Sequence, residues 1–418
     1  MDNDNVVELK QPSEFVSDAL TELLKTGAQK LIAEAVKKEL QELLETHKET
    51  RLTDGRQAVI RNGYLPERDV QTGIGPVKVR LPKVRDRSGK GIKFNSNLIP
   101  PYLKRSKNME EFIPWLYLRG ISTGDFNESL SVLFGEQAKG LSPNTISRLK
   151  QAWETEYSSW INRDLSSKRY VYFWADGIHF SVRAEDAKQC VLVVIGVLDN
   201  GKKELVAMED GYRESEQSWL ELLLDIQQRG LRKGPQLAVG DGALGWWKAL
   251  DKIYPETKSQ RCWVHKTANV LNKLPKSVQP KVKDCLHDIW MADTRAAAYQ
   301  SFDNTLQRFG DKYPKAMECL KKDKEKLLAF YDFPAMHWQH IRSTNVIEST
   351  FSTVRHRTTK TKNCGSRKTN LAMAFKLTQC AEKDWRKLRG FKLLADVING
   401  VTFIDGEKQE NSNNRKVA

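Results

Sequence analysis

No stretch of this 418-residue sequence is long and apolar enough to cross a bilayer. A span takes about 20 consecutive apolar residues, and charges interrupt every apolar segment here before that. The opening Met-Asp-Asn-Asp-Asn has neither the cationic nor the apolar character of a secretory signal, so the expectation is a cytoplasmic chain with no membrane partner. Cysteine is sparse: Cys190, Cys262, Cys285, Cys319, Cys364 and Cys380 are scattered without a framework spacing. They read as reduced thiols in an intracellular protein rather than as a disulfide scaffold. Acid is short as well, with 53 Asp and Glu against 68 Lys and Arg, a net charge of +15. That excess suits a polyanion, and nucleic acid is the first candidate.

What is present is enough apolar residue, 39 %, for folded cores in two or three domains. Residues 1–12 read as disordered, and 1–50 as a helical N-terminal region. Leu20, Leu24, Leu31, Ala35, Leu40, Leu43 and Leu44 recur at helical spacing there, with Gly27 as a break. Residues 51–165 change character. Glycines and prolines punctuate short runs, and Val77-Lys78-Val79-Arg80-Leu81 alternates as a half-buried strand does. Lys78, Arg80, Lys83, Arg85 and Arg87 put five cations on this small β element. The run is either a solvated face or a ribbon against phosphates. A helix from Asn108 ends at Gly120, and another starts at Ser122. Ser142-Pro143 then caps a helix to about Trp160, with Asn144, Thr145 and Arg148 at its start. Helix, turn and capped helix fit a helix-turn-helix reader of double-stranded DNA, and fit an ordinary helix pair too.

From residue 166 an α/β pattern begins. Strands are expected at 170–183, 189–198 and 203–210. A helix over Glu216–Gln228 follows, with Trp219, Leu220, Leu223 and Leu224 inward. Then come a strand over Pro235–Gly240, a helix with Trp246, Trp247 and Leu250, and a strand over Ser259–Val264. This is the element order of an RNase H-like core, covering 166–265 and resumed at 336–395. Residues 266–335 read as an all-helical insertion, broken at Pro275, Pro280 and Pro314. Residues 396–418 read as a tail, disordered from Glu407. The fold expected is therefore an α/β RNase H-like core with a helical insertion, preceded by a mixed α+β and helix-turn-helix-like DNA-binding region.

Asp176 lies within the most apolar strand, Tyr170–Phe180, where an unpaired carboxylate is costly. Asp176-Gly177 is either a hairpin turn or a metal ligand on a central strand followed by a residue that admits close approach. Asp241 ends the strand expected beside it, and Glu348 sits in the first turns of a later helix. Three carboxylates so placed can hold two Mg²⁺ ions about 3.5–4 Å apart.

The sequence resembles the Mutator-type family of bacterial insertion-sequence transposases, in the DDE class, from about Ala28 to Trp385. The resemblance is carried by Arg61-Asn62-Gly63-Tyr64, Thr72-Gly73-Ile74-Gly75-Pro76-Val77 and Leu118-Arg119-Gly120-Ile121-Ser122-Thr123. It is carried further by Gln260-Arg261-Cys262-Trp263-Val264-His265-Lys266 and by Ser343-Thr344-Asn345-Val346-Ile347-Glu348-Ser349 with Arg355-His356-Arg357. It implies Asp176, Asp241 and Glu348 as catalytic acids and metal ligands, with Mg²⁺ (Mn²⁺ as substitute) as cofactor. It implies binding of terminal inverted repeats and target DNA by a homodimer or larger assembly. Phe351, and Trp174-Ala175 before the first Asp, depart from the family pattern. Arg355, two turns from Glu348, and Arg357 are placed to contact a phosphate. Cys262 and His265 could bind zinc, orient groups beside the acids, or pack. A single Cys-x-x-His, with Cys285-x-His287 too tight for the usual knuckle, argues against zinc.

Overall fold

The computed structural model describes residues 19–118, 143–182, 188–211, 213–360 and 366–409, together with Ile121 and Leu130. The chain forms two compact units, residues 1–149 and 150–418. No helix among the described residues is long and apolar enough to cross a membrane.

The first unit opens with helix α1, Ala19–Thr46. It continues through Gly27, contrary to the expected break, since a single glycine costs a helix only about 1 kcal/mol. Val36 and Leu40 are buried, whereas Leu20, Leu23, Leu24 and Leu31 are exposed. Two antiparallel ribbons follow. Strand β1 (Val59–Tyr64) pairs with β4 (Pro82–Asp86), and β2 (Arg68–Thr72) pairs with β3 (Gly75–Val79). The strand expected at 77–81 therefore ends at Val79, and after Arg80 and Leu81 the chain enters β4 at Pro82. Val70, Val79, Leu81 and Ile99 join Val36 in a small core. Glu39 of α1 fixes the following loop by accepting from the Asn97 and Leu98 N–H groups at 3.2 and 3.1 Å. Helix α2, Lys107–Leu118, completes the described part. The helix expected from Ser122 and the Ser142 cap lie outside the described residues. Helix α3, Pro143–Ile161, follows them and runs into the second unit.

The second unit is a mixed α/β body, compatible with an RNase H-like core. Strands β5 (Tyr170–Phe180), β6 (Gln189–Leu198) and β7 (Lys203–Gly211) form an antiparallel meander. Strands β8 (Leu237–Gly240) and β9 (Lys258–Arg261) add in parallel, giving the order β7-β6-β5-β8-β9. The Asp176-Gly177 pair is not a turn, since β5 continues through it and Asp176 stands opposite Val193. One sheet face is covered by helices α4 (Glu216–Gln228) and α5 (Leu244–Ile253). Trp219 and Trp246 meet there edge to face at 4.8 Å, and with Trp247 they belong to the core. Helix α4 buries Leu222 and Ile226 alongside Trp219 and Leu223, leaving Leu220 and Leu224 half-buried. The inward stripe is thus rotated from the one expected.

The other face of β5 carries Tyr172 and Trp174. Tyr172 Oη lies 2.8 Å from His337 Nδ1, and Trp174 Nε1 donates to the His340 carbonyl at 2.9 Å. Between β9 and the long helix α12 (Asn345–Lys360) come helices α6 (Trp263–Leu271), α7 (Gln279–Met291), α8 (Arg295–Gly310) and α9 (Pro314–Lys321). The short helices α10 (Lys324–Leu327) and α11 (Trp338–Ile341) complete the stretch. Pro280 and Pro314 begin helices rather than break them, because the first turn needs no N–H partner. Helix α13, Arg367–Glu382, packs against β7. Past it, Phe403–Ile404 and Glu407–Lys408 pair as a small hairpin, so order persists beyond the point expected for the tail.

Candidate active site

Strand register puts the first two acids side by side. In the parallel β5–β8 pair Ala175 stands opposite Gly240. The next residue in each segment is an aspartate, Asp176 within β5 and Asp241 just past the end of β8, so the two are neighbours at the centre of the sheet. Asp176 is more than nine-tenths buried. Its carboxylate accepts one hydrogen bond, from the Gly177 N–H at 2.8 Å, and forms no ion pair among the described residues. Asp241 accepts from the Ala243 N–H at 2.8 Å, which turns the chain into α5. Burial, then the Asp241 charge, raise the Asp176 pKa to about 7.

A third carboxylate joins them that sequence reasoning missed. Glu214 follows β7 and immediately precedes Ser215, whose side chain caps α4 by accepting from the Ser218 N–H. Oxygens of Asp176, Glu214 and Asp241 all lie within 4.8 Å of one another. Burial first, and Asp241 second, raise the Glu214 pKa. Its one side-chain partner among the described residues is His179 Nε2 at 3.2 Å. No motif surrounds Glu214, and only folding brings it to β5. His179, Cys190 and Glu214 also lie close together. Burial pushes the Cys190 thiol to about 12, however, so it remains a thiol within the apolar core and a poor ligand.

Glu348 is placed beside this cluster by a different device. The expected strand over Ser259–Val264 ends at Arg261, and Cys262, with extended backbone, starts α6. His265 therefore lies one turn from Cys262, on the same side of the helix. Both meet Thr344, the residue before α12. The Thr344 N–H donates to Cys262 Sγ at 3.3 Å, and Thr344 Oγ1 lies 3.2 Å from His265 Nδ1. The Thr344 carbonyl accepts the Glu348 N–H at 3.0 Å, and His265 Nε2 faces Glu348 Oε1 at 3.5 Å. His265 is held at about 9, chiefly by Cys262, against burial, with help from Asp176 and Asp241. That shift favours the imidazolium, which faces Glu348.

The rest of that segment is structural. Gln260 Nε2 and Trp263 Nε1 both donate to the Leu327 carbonyl, at 3.0 and 2.8 Å, tying the helical stretch to β9. Lys266 ion-pairs with Asp323 and donates to the Cys319 carbonyl at 2.7 Å. Arg261 lies flat on Gly242, where any side chain would collide with its guanidinium, and sits 3.5 Å from Asp323.

The cations expected to contact DNA are distributed over both units. Lys78, Arg80, Lys83 and Arg85 are all exposed. The Arg61 and Arg80 guanidinium groups each sit 4.9 Å from the Tyr64 ring centre, a contact that orients them. Arg148 is exposed on α3, while the side chains of Asn144 and Thr145 lie outside the described ones. Arg355 is exposed on α12 and stands over the Phe351 ring at 5.7 Å. Phe351 itself is buried, so its departure from the family pattern is a packing choice. The side chain of Arg357 lies outside the described ones. Further along the chain, Arg367 makes two hydrogen bonds to Asp210, and Lys368 pairs with Glu154 at 3.2 Å.

Fold and site together define an α/β protein that gathers carboxylates at the centre of a mixed sheet, beside a histidine-tethered glutamate. Residues 2–387 match the family described as "Transposase, Mutator family", and the chain belongs to it. It is similar to the transposase for insertion sequence element IST2 of Acidithiobacillus ferrooxidans, 53% identical over 286 residues, covering 67% of this chain and 94% of that protein. The transposase for insertion sequence element IS6120 of Mycolicibacterium smegmatis is 48% identical over 302 residues, 72% of this chain and 93% of that protein. A more distant relative is the transposase for IS256 in transposon Tn4001 of Staphylococcus aureus, 28% identical over 315 residues, 74% of this chain and 77% of that protein.

Proposed function

We propose that this chain is a DNA transposase of the DDE class, with an RNase H-like core interrupted by the helical stretch between β9 and α12. It binds the terminal inverted repeats of its own insertion sequence, cleaves at the element's 3′ ends and joins those ends to target DNA. The observation that carries the reading is the placement of Asp176, within β5, beside Asp241, which directly follows the parallel strand β8, in a chain of the Mutator family.

The donor set fits a hard divalent cation. Asp176 is buried without an ion pair among the described residues, and its oxygens and those of Asp241 converge to within 4.8 Å. Carboxylates at such spacing repel unless a cation or a proton intervenes. Asp176, Asp241 and Glu348 would hold Mg²⁺ or Mn²⁺, which, when bound, activates the attacking hydroxyl and stabilises the leaving oxygen. Water attacks the phosphorus at the element's end, the P–O3′ bond breaks, and the 3′-oxygen leaves as a hydroxyl. That hydroxyl then attacks a target phosphodiester, displacing the target's own 3′-oxygen, so one P–O bond forms for each broken. His265 steadies Glu348 and adds positive charge where phosphate must approach three acids. The exposed cations of β3 and β4, with α3 and Arg355, supply the phosphate contacts that hold DNA. Joining two ends needs them held together, so the working form is a homodimer or larger assembly, acting on DNA in the cytoplasm.

The test is incubation with repeat-end oligonucleotides in Mg²⁺, with products resolved on a denaturing gel. Asp176→Ala, Asp241→Ala and Glu348→Ala are each expected to abolish cleavage while gel shifts still show DNA binding. Full cleavage by any one variant would remove that residue from the site.

A further inference from the structure

We propose that Glu214 is a metal ligand of this site, the carboxylate that completes the Asp176–Asp241 pair. The proposal rests on the reading of these aspartates as metal ligands and adds a residue that no motif marks.

Three observations carry it. First, Glu214 supplies an oxygen within 4.8 Å of oxygens on both aspartates, whereas Glu348 is turned to His265 at 3.5 Å. Second, Asp176 is more than nine-tenths buried and has one hydrogen bond and no ion pair among the described residues. A carboxylate so placed lacks a cation, and adding a second and third acid beside it deepens the deficit. Third, β5 is cut away where Glu214 enters. A Cβ on Gly177 would stand 2.6 Å from Glu214 Cδ and 2.7 Å from its Cγ. Glycine beside Asp176 is therefore what admits the Glu214 side chain. The backbone is fitted in the same way from below, since a Cβ on Gly245 of α5 would stand 2.7 Å from the Glu214 carbonyl oxygen.

The competing account is that Glu214 serves His179, its partner at 3.2 Å. That histidine side chain is half exposed, and an ion pair at the surface contributes little. It gives no reason for the carboxylate to lie against two other acids.

The experiment measures Mn²⁺ binding to the full-length protein without DNA, by electron paramagnetic resonance. It also maps Fe²⁺-ascorbate cleavage of the polypeptide, which cuts the chain next to bound metal. Wild-type protein is expected to be cut near Asp176, Glu214 and Asp241. Glu214→Gln and Gly177→Ala should each weaken Mn²⁺ binding by about tenfold or more and remove the cut near Glu214, while His179→Gln, which removes a partner of Glu214 and no proposed ligand, keeps that cut. Gly177→Ala keeps every carboxylate in the chain and only displaces one, and Glu214→Asp withdraws it by one methylene. These variants serve if Glu214→Gln does not fold, which thermal denaturation reports. Asp176→Asn separates the two readings. If it loses Mn²⁺ while Glu214→Gln binds as wild type, Glu214 is no ligand and the metal site stands. If Asp176→Asn itself binds Mn²⁺ as wild type, the metal-site reading falls and this proposal with it. Loss of the cut near Glu214 in His179→Gln, with Mn²⁺ bound by Glu214→Gln as by wild type, would assign Glu214 to the histidine instead.

Discussion

At Asp176 a single carboxyl couples stability to pH. Its folded pKa of about 7 lies above the ordinary value of 3.8, chiefly through burial and then through Asp241. Between those values the folded chain binds the proton more tightly than the unfolded chain does. The stability this group contributes is therefore complete below about pH 4 and is lost as pH rises through 7. Metal-free Asp176→Asn should be more stable than wild type at pH 8, by on the order of 2–4 kcal/mol, and differ little at pH 4. Thermal denaturation in chelator at the two pH values measures this, and a wild-type-like pH dependence in the variant would refute it. The same variant should not cleave DNA. His265 has the opposite charge and the same sign of linkage. Held at about 9, it stabilises most below its ordinary 6.5, and that contribution fades as pH rises through 9.

Two helices meet at Thr344, and that junction is where an element's placement becomes chemistry. Helix α6 begins at Cys262 and α12 just after Thr344, and the Trp263 N–H donates to the Arg342 carbonyl at 3.0 Å. Glu348 is thus positioned by α6 as much as by its own helix. Truncating His265 to alanine should slow single-turnover cleavage by about 10–100-fold while shifting the melting temperature little, as for residues that orient a site's ligands. Cys262→Ser, in the buried half of the junction, should cost stability and activity together. Loss of activity in His265→Ala wholly accounted for by unfolding would sink the orienting role, and so would stoichiometric zinc that vanishes in both variants. The helix start at Cys262 was not legible in the sequence. Cys262, Trp263 and Val264 are residue types that suit a strand, and the chain turns at Cys262, where Gln260 and Trp263 both donate to the Leu327 carbonyl.

On the scale of the whole molecule, the charge of +15 is the feature that DNA will sense. Removing Lys78, Arg80, Lys83 and Arg85 together should weaken binding of repeat-end and unrelated duplexes alike. It should also flatten the dependence of log K on log salt by about 0.9 for each phosphate that is no longer neutralised. Gel shifts across a salt series test this, and an unchanged slope would make the ribbon a solvated face only. Two element ends should be held by two or more chains. The exposed Leu20, Leu23, Leu24 and Leu31 of α1 offer one surface for that contact, and the helices between β9 and α12 another. Light scattering of the protein–DNA complex should give at least two chains per two ends.

Much of this was determined by sequence alone. The alternating and continuous apolar runs place β5 to β8 and the helices between them, because periodicity of burial is a local property. Asp176 stood out because a carboxylate inside so apolar a strand needs a reason, and the family motifs marked Asp241 and Glu348. Tertiary structure decided the rest. Parallel pairing of Ala175 with Gly240 makes neighbours of Asp176 and Asp241, which are far apart in the chain. Thr344 ties the Cys262–His265 turn to Glu348, although nothing in either segment names the other. Glu214 sits in a loop without a motif, and only the packing of α4 and α5 against β5, with a glycine at 177, brings its carboxylate to the aspartates. The physical reason is the same in each case. Local sequence sets which way a side chain faces along its own strand or helix, but a site is a convergence of several elements, and convergence is fixed by register and packing.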